Sequence, residues 1–338
     1  MSEQSTKILI IGAGPTGLNC AIEAQKLGMD YAVIEKGLLV NSLFYFPANM
    51  TFFSTSLNLE IGGVPFISHR DKPTRQEALE YYRRIAESFH LHIHYREKVL
   101  SIEGKEGDFS VKTDKGIWKA EQVIVATGYY DTPRLLNVPG EDLAKVKHYY
   151  DEAHHYIGQN IVVVGGANSA CDVALETMQK GASVTMVVRE PHLYQKVKYW
   201  ILPNIENRIK EGSIKAYFNS IVTKITEDKV YILTPEGDKV IENDYVLAMT
   251  GYQPDYTFLE GLGIGFGQGE EKAPLYNPDT LESSIQGIYL GGVILSGLNT
   301  GTLFIENTRH HARIIIEAIQ AKMSSKKLAS SGFIHQAQ

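Results

Sequence analysis

The chain has 338 residues, enough for two domains with a core each. It is 43% hydrophobic and 21% charged, with a net charge of −6; the basic residues are scattered, which excludes a nucleic-acid partner, and Arg83-Arg84 and Lys326-Lys327 read as solvated helix faces. No apolar run approaches the ~20 residues of a membrane span, no basic-then-apolar leader opens the chain, and two distant cysteines make no disulfide scaffold, so the expected setting is the cytoplasm.

Lys7 to Ile11 is a short apolar strand, GAGPTG a turn, and Leu18 to Leu27 a helix closed by Gly28. Tyr31 to Ile34 forms a second strand that ends at Glu35. A long insert follows. It holds NSLFYFPANMTFFSTS, a helix over 75–89, a strand over 90–95 and a β-meander over 99–118. His90, His92 and His94 alternate, which puts them on one face of that strand. No carboxylate or cysteine cluster lies near them, so they read as solvent-facing, and no metal site is predicted. VIVATGYYDTP (123–133) is an apolar strand running into Thr-Gly-Tyr. Ile161 to Val164 then repeats the opening: GGANSA (165–170), a helix through Lys180, Gly181, and a strand from Ser183 to Val188 that ends at Arg189. VLAMTGYQPDY (246–256) repeats the Thr-Gly-Tyr strand end. IYLGGVILSG (288–297) is a last strand with a glycine-rich end, and the tail after Lys326 is expected to be loose. Two copies of one pattern so far apart predict two related domains rather than a solenoid.

Gly12, Gly14 and Gly17 follow a strand and open a helix, the context that gives G-x-G-x-x-G its meaning. Gly12 permits the tight turn, and Gly14 lets backbone amides approach a pyrophosphate. Gly17 lets the helix pack closely, and the helix start at Pro15 and Thr16 offers partial positive charge to phosphates. Glu35 can accept hydrogen bonds from both hydroxyls of an adenosine ribose and repels a 2′-phosphate. With Lys36 beside it, this site suits FAD or NAD. Phe44-Tyr45-Phe46 and Phe52-Phe53-Ser54 are expected to wall an isoalloxazine, with Phe52 and Ser54 among its contacts. The second fingerprint is Gly165, Gly166, Ala167, Asn168, Ser169, Ala170, with alanine at its third and sixth positions. Arg189 stands where the first copy has its acid, and a guanidinium there can clamp a 2′-phosphate; Lys196 and Lys198 add charge. This reads as NADPH, with unselective NADH binding as the alternative. Two nucleotide sites in one chain imply electron transfer from NADPH to flavin and onward.

This order of parts resembles the thioredoxin-reductase-like flavoproteins over nearly the whole chain. More narrowly it resembles the bacillithiol disulfide reductases, through YFPANMTFFSTS, IGGVPFI, KPTRQEALEYYR, ATGYYD, KYWILPN, MTGYQPDY and FIEN. The resemblance implies an α/β fold of two Rossmann-like domains. A discontinuous FAD-binding domain (1–128 and 246–326) would count Ala126, Thr127, Gly128, Gly292 and Val293 among its cofactor contacts. A NAD(P)H-binding domain (129–245) is inserted in it, and 327–338 form the loose tail. FAD and NADPH are the implied cofactors, a dimer or tetramer the implied assembly, and a small-molecule disulfide or small redox protein the implied partner.

The chain departs from those families at three places. Residues 129–160 hold no C-x-x-C, and 36–60 also lack the cysteine pair of glutathione-reductase-like enzymes. Thr16 stands where the bacillithiol reductases are thought to use a single cysteine, and a hydroxyl forms neither a mixed disulfide nor a thiolate–flavin adduct. Gly291-Gly292-Val293 replaces a closing motif that carries Gly-Asp. Cys20, one turn past Thr16, reads as a packing residue. Cys171 also reads as packing, although its place at a helix N-terminus could lower its pKa. The acceptor therefore stays open between a low-molecular-weight disulfide reduced without a protein cysteine couple, a ferredoxin or flavodoxin, and oxygen in a monooxygenase; a non-enzymatic redox sensor is the remaining reading. Tyr129, Tyr130, His148, Glu306 and His310 are the acid/base candidates, and the catalytic residue is not assigned.

Overall fold

The computed structural model describes residues 2–332, which gather into two compact units. The larger runs to Phe44, resumes over Met50–Thr132 and again from Tyr252; the smaller comprises Tyr45–Asn49 and Pro133–Gly251.

The larger unit opens with β1 (Ser2–Ile11), α1 (Pro15–Lys26) and β2 (Tyr31–Glu35). Then come the single turn α2 (Asn41–Phe44), α3 (Arg75–Ser88), β3 (Ile93–Tyr95), β4 (Val99–Lys105), β5 (Asp108–Thr113) and β6 (Gly116–Val125). They form a sheet in the order β3-β2-β1-β6-β5-β4, in which β3, β2, β1 and β6 are parallel and the rest an antiparallel meander. Ile8–Ile11 and all of β2 are buried, as unbroken apolar strands covered on both faces should be. The PTRQE stretch starts α3 for a local reason: Glu77 N donates to Thr74 Oγ1 at 3.3 Å, and Thr74 N donates to Glu77 Oε2 at 2.8 Å, a reciprocal cap.

The strand expected over 90–95 is shorter. His90 has a φ of +49° and turns the chain after α3, so it shares no strand face with His94. His92 stacks on Tyr31 and His94 meets Trp118 edge-on. Among the described residues no group of His, Cys, Asp and Glu is arranged to hold a metal ion.

The smaller unit contains β7 (Val146–Lys147), β8 (Asn160–Val164), α4 (Asn168–Gln179), β9 (Ser183–Val187), α5 (Leu202–Lys210) and β10 (Ile214–Tyr217). They are followed by β11 (Ile221–Ile225), β12 (Lys229–Thr234), β13 (Gly237–Glu242) and β14 (Tyr245–Ala248). A parallel sheet runs β10-β9-β8-β14-β7, and β11-β12-β13 form a separate antiparallel sheet. Strand alternation builds two cores: Ile161, Val163 and Leu247 pack with α4 and α5, while Val162, Val164 and Val246 pack with Val222, Val230 and Ile232 of the second sheet.

Two boundaries differ from the expected 128/129 and 245/246. The chain enters the smaller unit after Thr132 and leaves it after Gly251, because β14 pairs with β7 and β8 in that unit's sheet rather than opening the returning segment. The expected aromatic wall is also divided: Phe44 remains in the larger unit, while Tyr45 and Phe46 belong to the smaller one, where Ala48 N donates to Asp151 O at 2.9 Å.

Lys145 ties the edges of the smaller unit together. Its buried ammonium donates to Glu227 O (2.9 Å), Asn243 O (3.0 Å) and Asn243 Oδ1 (2.6 Å), and burial holds its pKa below the usual lysine value. Lys145→Met is expected to lower stability by ~2–3 kcal/mol, because these oxygens lose a charged donor. A urea titration followed by circular dichroism reads the change.

After Gly251 the chain adds α6 (Tyr256–Gly261), β15 (Ile288–Leu290), α7 (Ile305–Thr308) and α8 (His311–Gly332). β15 lies parallel to the end of β6, which returns the late glycine-rich segment to the first sheet. The tail expected to be loose from 327 is helical through Gly332; 333–338 lie outside the described residues. No helix among the described residues is long and apolar enough to cross a membrane.

Candidate nucleotide sites

In the larger unit the first glycine turn is built by exclusion. Gly12 has a φ of +106°, and a Cβ on it would fall 2.6 Å from Ala126 O; a Cβ on Gly17 would fall 1.9 Å from Gly12 O. Both positions therefore require glycine, one for its backbone conformation and both for close approach. Gly14 differs: a Cβ there meets nothing within 4 Å. It leaves open space at the start of α1, the room a pyrophosphate needs. Around the turn, a Cβ on Gly291 or Gly292 would fall within 3.0 Å of the Thr16 side chain, and one on Gly128 would lie 3.9 Å from Val293 Cγ2. The turn, the 126–128 strand end and the 291–293 strand end thus meet at one edge of the sheet.

Glu35 closes this edge. It is 5% exposed; its Oε2 accepts from Ala13 N at 2.8 Å and its Oε1 from Gly37 N at 2.7 Å. Burial pushes its pKa up, while the two amides pull it back. A carboxylate has about four acceptor positions, so two remain for the hydroxyls of a ribose. Lys36 is engaged by Asp131 at 2.9 Å. Phe52 is buried, with its amide on Pro73 O at 2.9 Å, and Ser54 is half-buried. Phe44 stacks under the Arg75 guanidinium.

The smaller unit repeats the device with one relaxation. Gly165 has a φ of +130°, and a Cβ on it would fall 2.5 Å from Met249 O, as Gly12 does against Ala126. At the sixth position alanine stands in place of glycine: Ala170 is buried, and its methyl would lie 3.3 Å from a Cβ added to Gly165. Ala167 and Ser169 are exposed, and Asn168 Oδ1 accepts from Lys198 N at 3.0 Å. The Arg189 side chain is 82% exposed and rests on Glu190 at 3.0 Å. Lys198, expected to add charge beside Arg189, is instead turned inward: its side chain is 11% exposed and pairs with Asp172 at 2.9 Å. Lys196 is exposed.

Neither cysteine is poised for thiolate chemistry. Cys20 is fully buried, and burial, then Glu23, pushes its pKa up to about 12. Cys171 differs from the expected lowering: burial, then Asp172 and Glu206, pushes its pKa up to about 12 as well.

The acid/base candidates fall in both units. His148 lies in the smaller unit, 3.4 Å from Glu141, and burial lowers its pKa. In the larger unit the Tyr129 hydroxyl donates to Thr300 O at 3.2 Å, and burial raises its pKa to about 12. Tyr130 packs on Tyr252, Glu306 is half-buried in α7, and His310 is exposed, edge-on to His311. Three groups of the larger unit went unseen in the sequence. Asp131 takes Lys36. Asn19 bridges by donating to Arg309 O at 2.7 Å and accepting from Gly62 N at 3.1 Å; its only signal was a polar residue on the buried stripe of α1. His311 accepts from Gly292 N at 3.1 Å, and its only signal was the doubled histidine.

A family model described as pyridine nucleotide-disulphide oxidoreductase matches residues 9–292. The chain belongs to this family. Its enzymes are flavin-dependent oxidoreductases that use FAD and NAD(P)H, in agreement with two glycine cradles ending in opposite charges. Within the pyridine nucleotide-disulphide oxidoreductases, the bacilliredoxin reductase Bdr of Bacillus subtilis is 42% identical over 90% of this chain and 94% of its own. The solved bacillithiol disulfide reductase Bdr of Staphylococcus aureus superposes with a TM-score of 0.91 at 43% identity, over 94% of this chain and 99% of that one. A ferredoxin–NADP reductase of Ignicoccus hospitalis is more distant, 25% identical over 85% of this chain and 89% of its own.

Proposed function

We propose that this chain uses NADPH to reduce a bacillithiol-type disulfide, free or carried on a small redox protein. The net reaction is NADPH + H⁺ + RSSR giving NADP⁺ + 2 RSH. The observation that carries the reading is likeness over at least 90% of each chain, above 40% identity, to two proteins named for bacilliredoxin and bacillithiol disulfide reduction. The ferredoxin–NADP reductase matches at far lower identity.

In this reading Gly12, Gly14, Pro15, Thr16 and Gly17 hold the FAD pyrophosphate, and Glu35 with Lys36 holds its adenosine end. Phe52, Ser54, Ala126, Thr127, Gly128, Gly292 and Val293 line the rest. Gly165, Ala167, Asn168, Ser169 and Ala170 hold the NADPH pyrophosphate, and Arg189 its 2′-phosphate. Bound FAD supplies two-electron acceptance and delivery. Because both thiols are buried and protonated at neutral pH, the protein contributes orientation and water exclusion rather than a cysteine couple. Thr16, whose Oγ1 would lie 2.7 Å from a Cβ on Gly292, offers a hydroxyl where a thiol would exchange.

Anaerobic NADPH is expected to bleach the flavin's visible absorption, and bacillithiol disulfide to restore it with NADPH consumed in equal amount. A panel of free disulfide, a bacillithiolated redox protein and a ferredoxin then reads the acceptor. Turnover with ferredoxin alone, or none with either disulfide above the oxygen background, overturns the proposal.

A further inference from the structure

The strand end after β15 is held by β6, α1 and α8. Gly291 N donates to Val125 O at 3.0 Å, which continues the β15–β6 register past the strand. From α1, Thr16 stands so close that a Cβ on Gly292 would fall 2.7 Å from its Oγ1, and a Cβ on Gly291 would fall 3.0 Å from its Cγ2. From α8, Ile315 Cδ1 would meet the same Gly291 Cβ at 3.2 Å. Gly292, with a φ of +82°, also points its amide at α8, where it donates to His311 Nδ1 at 3.1 Å.

A buried amide needs an acceptor, and this one is a side chain 19 residues away. An imidazole nitrogen accepts only while it carries no proton. His311 is 7% exposed; burial, then the neighbouring His310, holds its pKa down to about 4. The acceptor is therefore intact at neutral pH. No side chain on residue 292 itself could take over, because its backbone conformation and Thr16 leave no space for a Cβ.

We propose that His311 is a positioning residue for FAD: by holding the Gly292 amide it sets the Gly291–Gly292 peptide plane, and so the face that loop 291–293 presents to the flavin. A trans peptide carries its N–H and C=O on opposite sides, so an amide fixed on α8 sends the Gly291 carbonyl away from α8. Without His311 that amide loses its acceptor and the peptide plane its anchor on α8, and the contacts of Gly292 and Val293 with the cofactor lose their geometry. The inference rests on assigning FAD to the Gly12–Gly17 turn.

The test compares His311→Leu, which keeps bulk without an acceptor, with His311→Asn, whose Oδ1 accepts near the Nδ1 position. Apoprotein of each is titrated with FAD and followed by flavin fluorescence, and the absorption spectrum of the bound flavin is recorded. His311→Leu is expected to weaken FAD binding by ~10-fold, the worth of one buried hydrogen bond, and to alter the bound spectrum. His311→Asn is expected to recover most of both, although its packing differs more from the wild type. A merely structural histidine would rank the two variants by volume, with leucine the better. His311→Leu binding FAD within about twofold of wild type, or both variants loosening it equally, overturns the proposal. Should His311→Leu fail to fold, His311→Gln replaces it, because its extra methylene moves the acceptor off the Nδ1 position. Wild-type protein that takes up no FAD would remove the turn's assignment and the proposal together; wild-type binding with indifferent variants removes the proposal alone.

Discussion

Gly17→Ala is expected to leave purification without flavin and to unfold at lower denaturant than the wild type. The added methyl would lie 1.9 Å from Gly12 O and 3.0 Å from Gly12 C, and these are backbone atoms that no rotamer change can move aside. Gly12 cannot yield, since its own position is set against Ala126 O and by its amide on Ile34 O at 2.8 Å. The helix must move instead, and α1 carries Leu18, Ala21 and Ile22, each fully buried. Such a displacement exceeds the ordinary overpacking cost of ~1–3 kcal/mol. At ~1.4 kcal/mol per factor of ten, FAD affinity is expected to fall by ~100-fold or more. Gly14→Ala is the control. Its methyl meets nothing within 4 Å, so the fold should hold within ~0.5 kcal/mol, and any loss of flavin there reports a phosphate approaching that spot. The flavin-to-protein absorbance ratio and the urea midpoint measure both variants, and a Gly17→Ala protein carrying flavin at the wild-type ratio would refute the close-packing argument.

The parts of this molecule that were legible in sequence are those made by neighbours in the chain. Glycine spacing at 12, 14 and 17 encodes a turn because the constraints act over a few residues. Acid and base at 35 and 189 mark strand ends because each follows an apolar run directly. The internal repeat showed the two sheets for the same reason. What stayed hidden depends on distant partners. Cys171 sits at a helix start, which locally favours a thiolate, yet burial by the rest of the smaller unit raises its pKa. Lys198 looked like free charge until Asp172 was brought beside it. The bounds implied by the family resemblance gave β14 to the returning segment, although the internal repeat pairs it with the second fingerprint; its hydrogen bonds to β7 and β8 place it in the smaller unit's sheet. The alternating histidines misled because period-two spacing says nothing about where a strand begins, and His90 is still turning out of the helix. His311 could not be separated from His310 without knowing that one faces the core and the other solvent.

Arg189→Gln is expected to change which nicotinamide cofactor is used while leaving the fold untouched. The side chain is 82% exposed and its only ion pair among the described residues is with its neighbour Glu190, so its removal costs little stability. Its proposed role begins when a 2′-phosphate arrives: the guanidinium then exchanges one carboxylate for a doubly charged group that it can grip with two parallel hydrogen bonds. A charge-assisted contact of this kind is worth ~1.5–3 kcal/mol, so kcat/KM for NADPH should fall by ~10- to 100-fold, mostly through KM. NADH has no phosphate at that position, and its kcat/KM should move by less than about threefold, since it loses only a fraction of such a contact. Glu190→Gln should act in the opposite sense and raise NADPH affinity modestly, because the guanidinium no longer has to leave a carboxylate. The inward pairing of Lys198 with Asp172 sharpens the expectation, since it removes one of the two lysines expected to add charge beside Arg189. Steady-state rates with both cofactors at two ionic strengths separate this contact from general attraction: a specific grip keeps its NADPH-to-NADH ratio in salt, whereas diffuse attraction is screened. Equal losses for the two cofactors would show that Arg189 serves the strand end and not the phosphate.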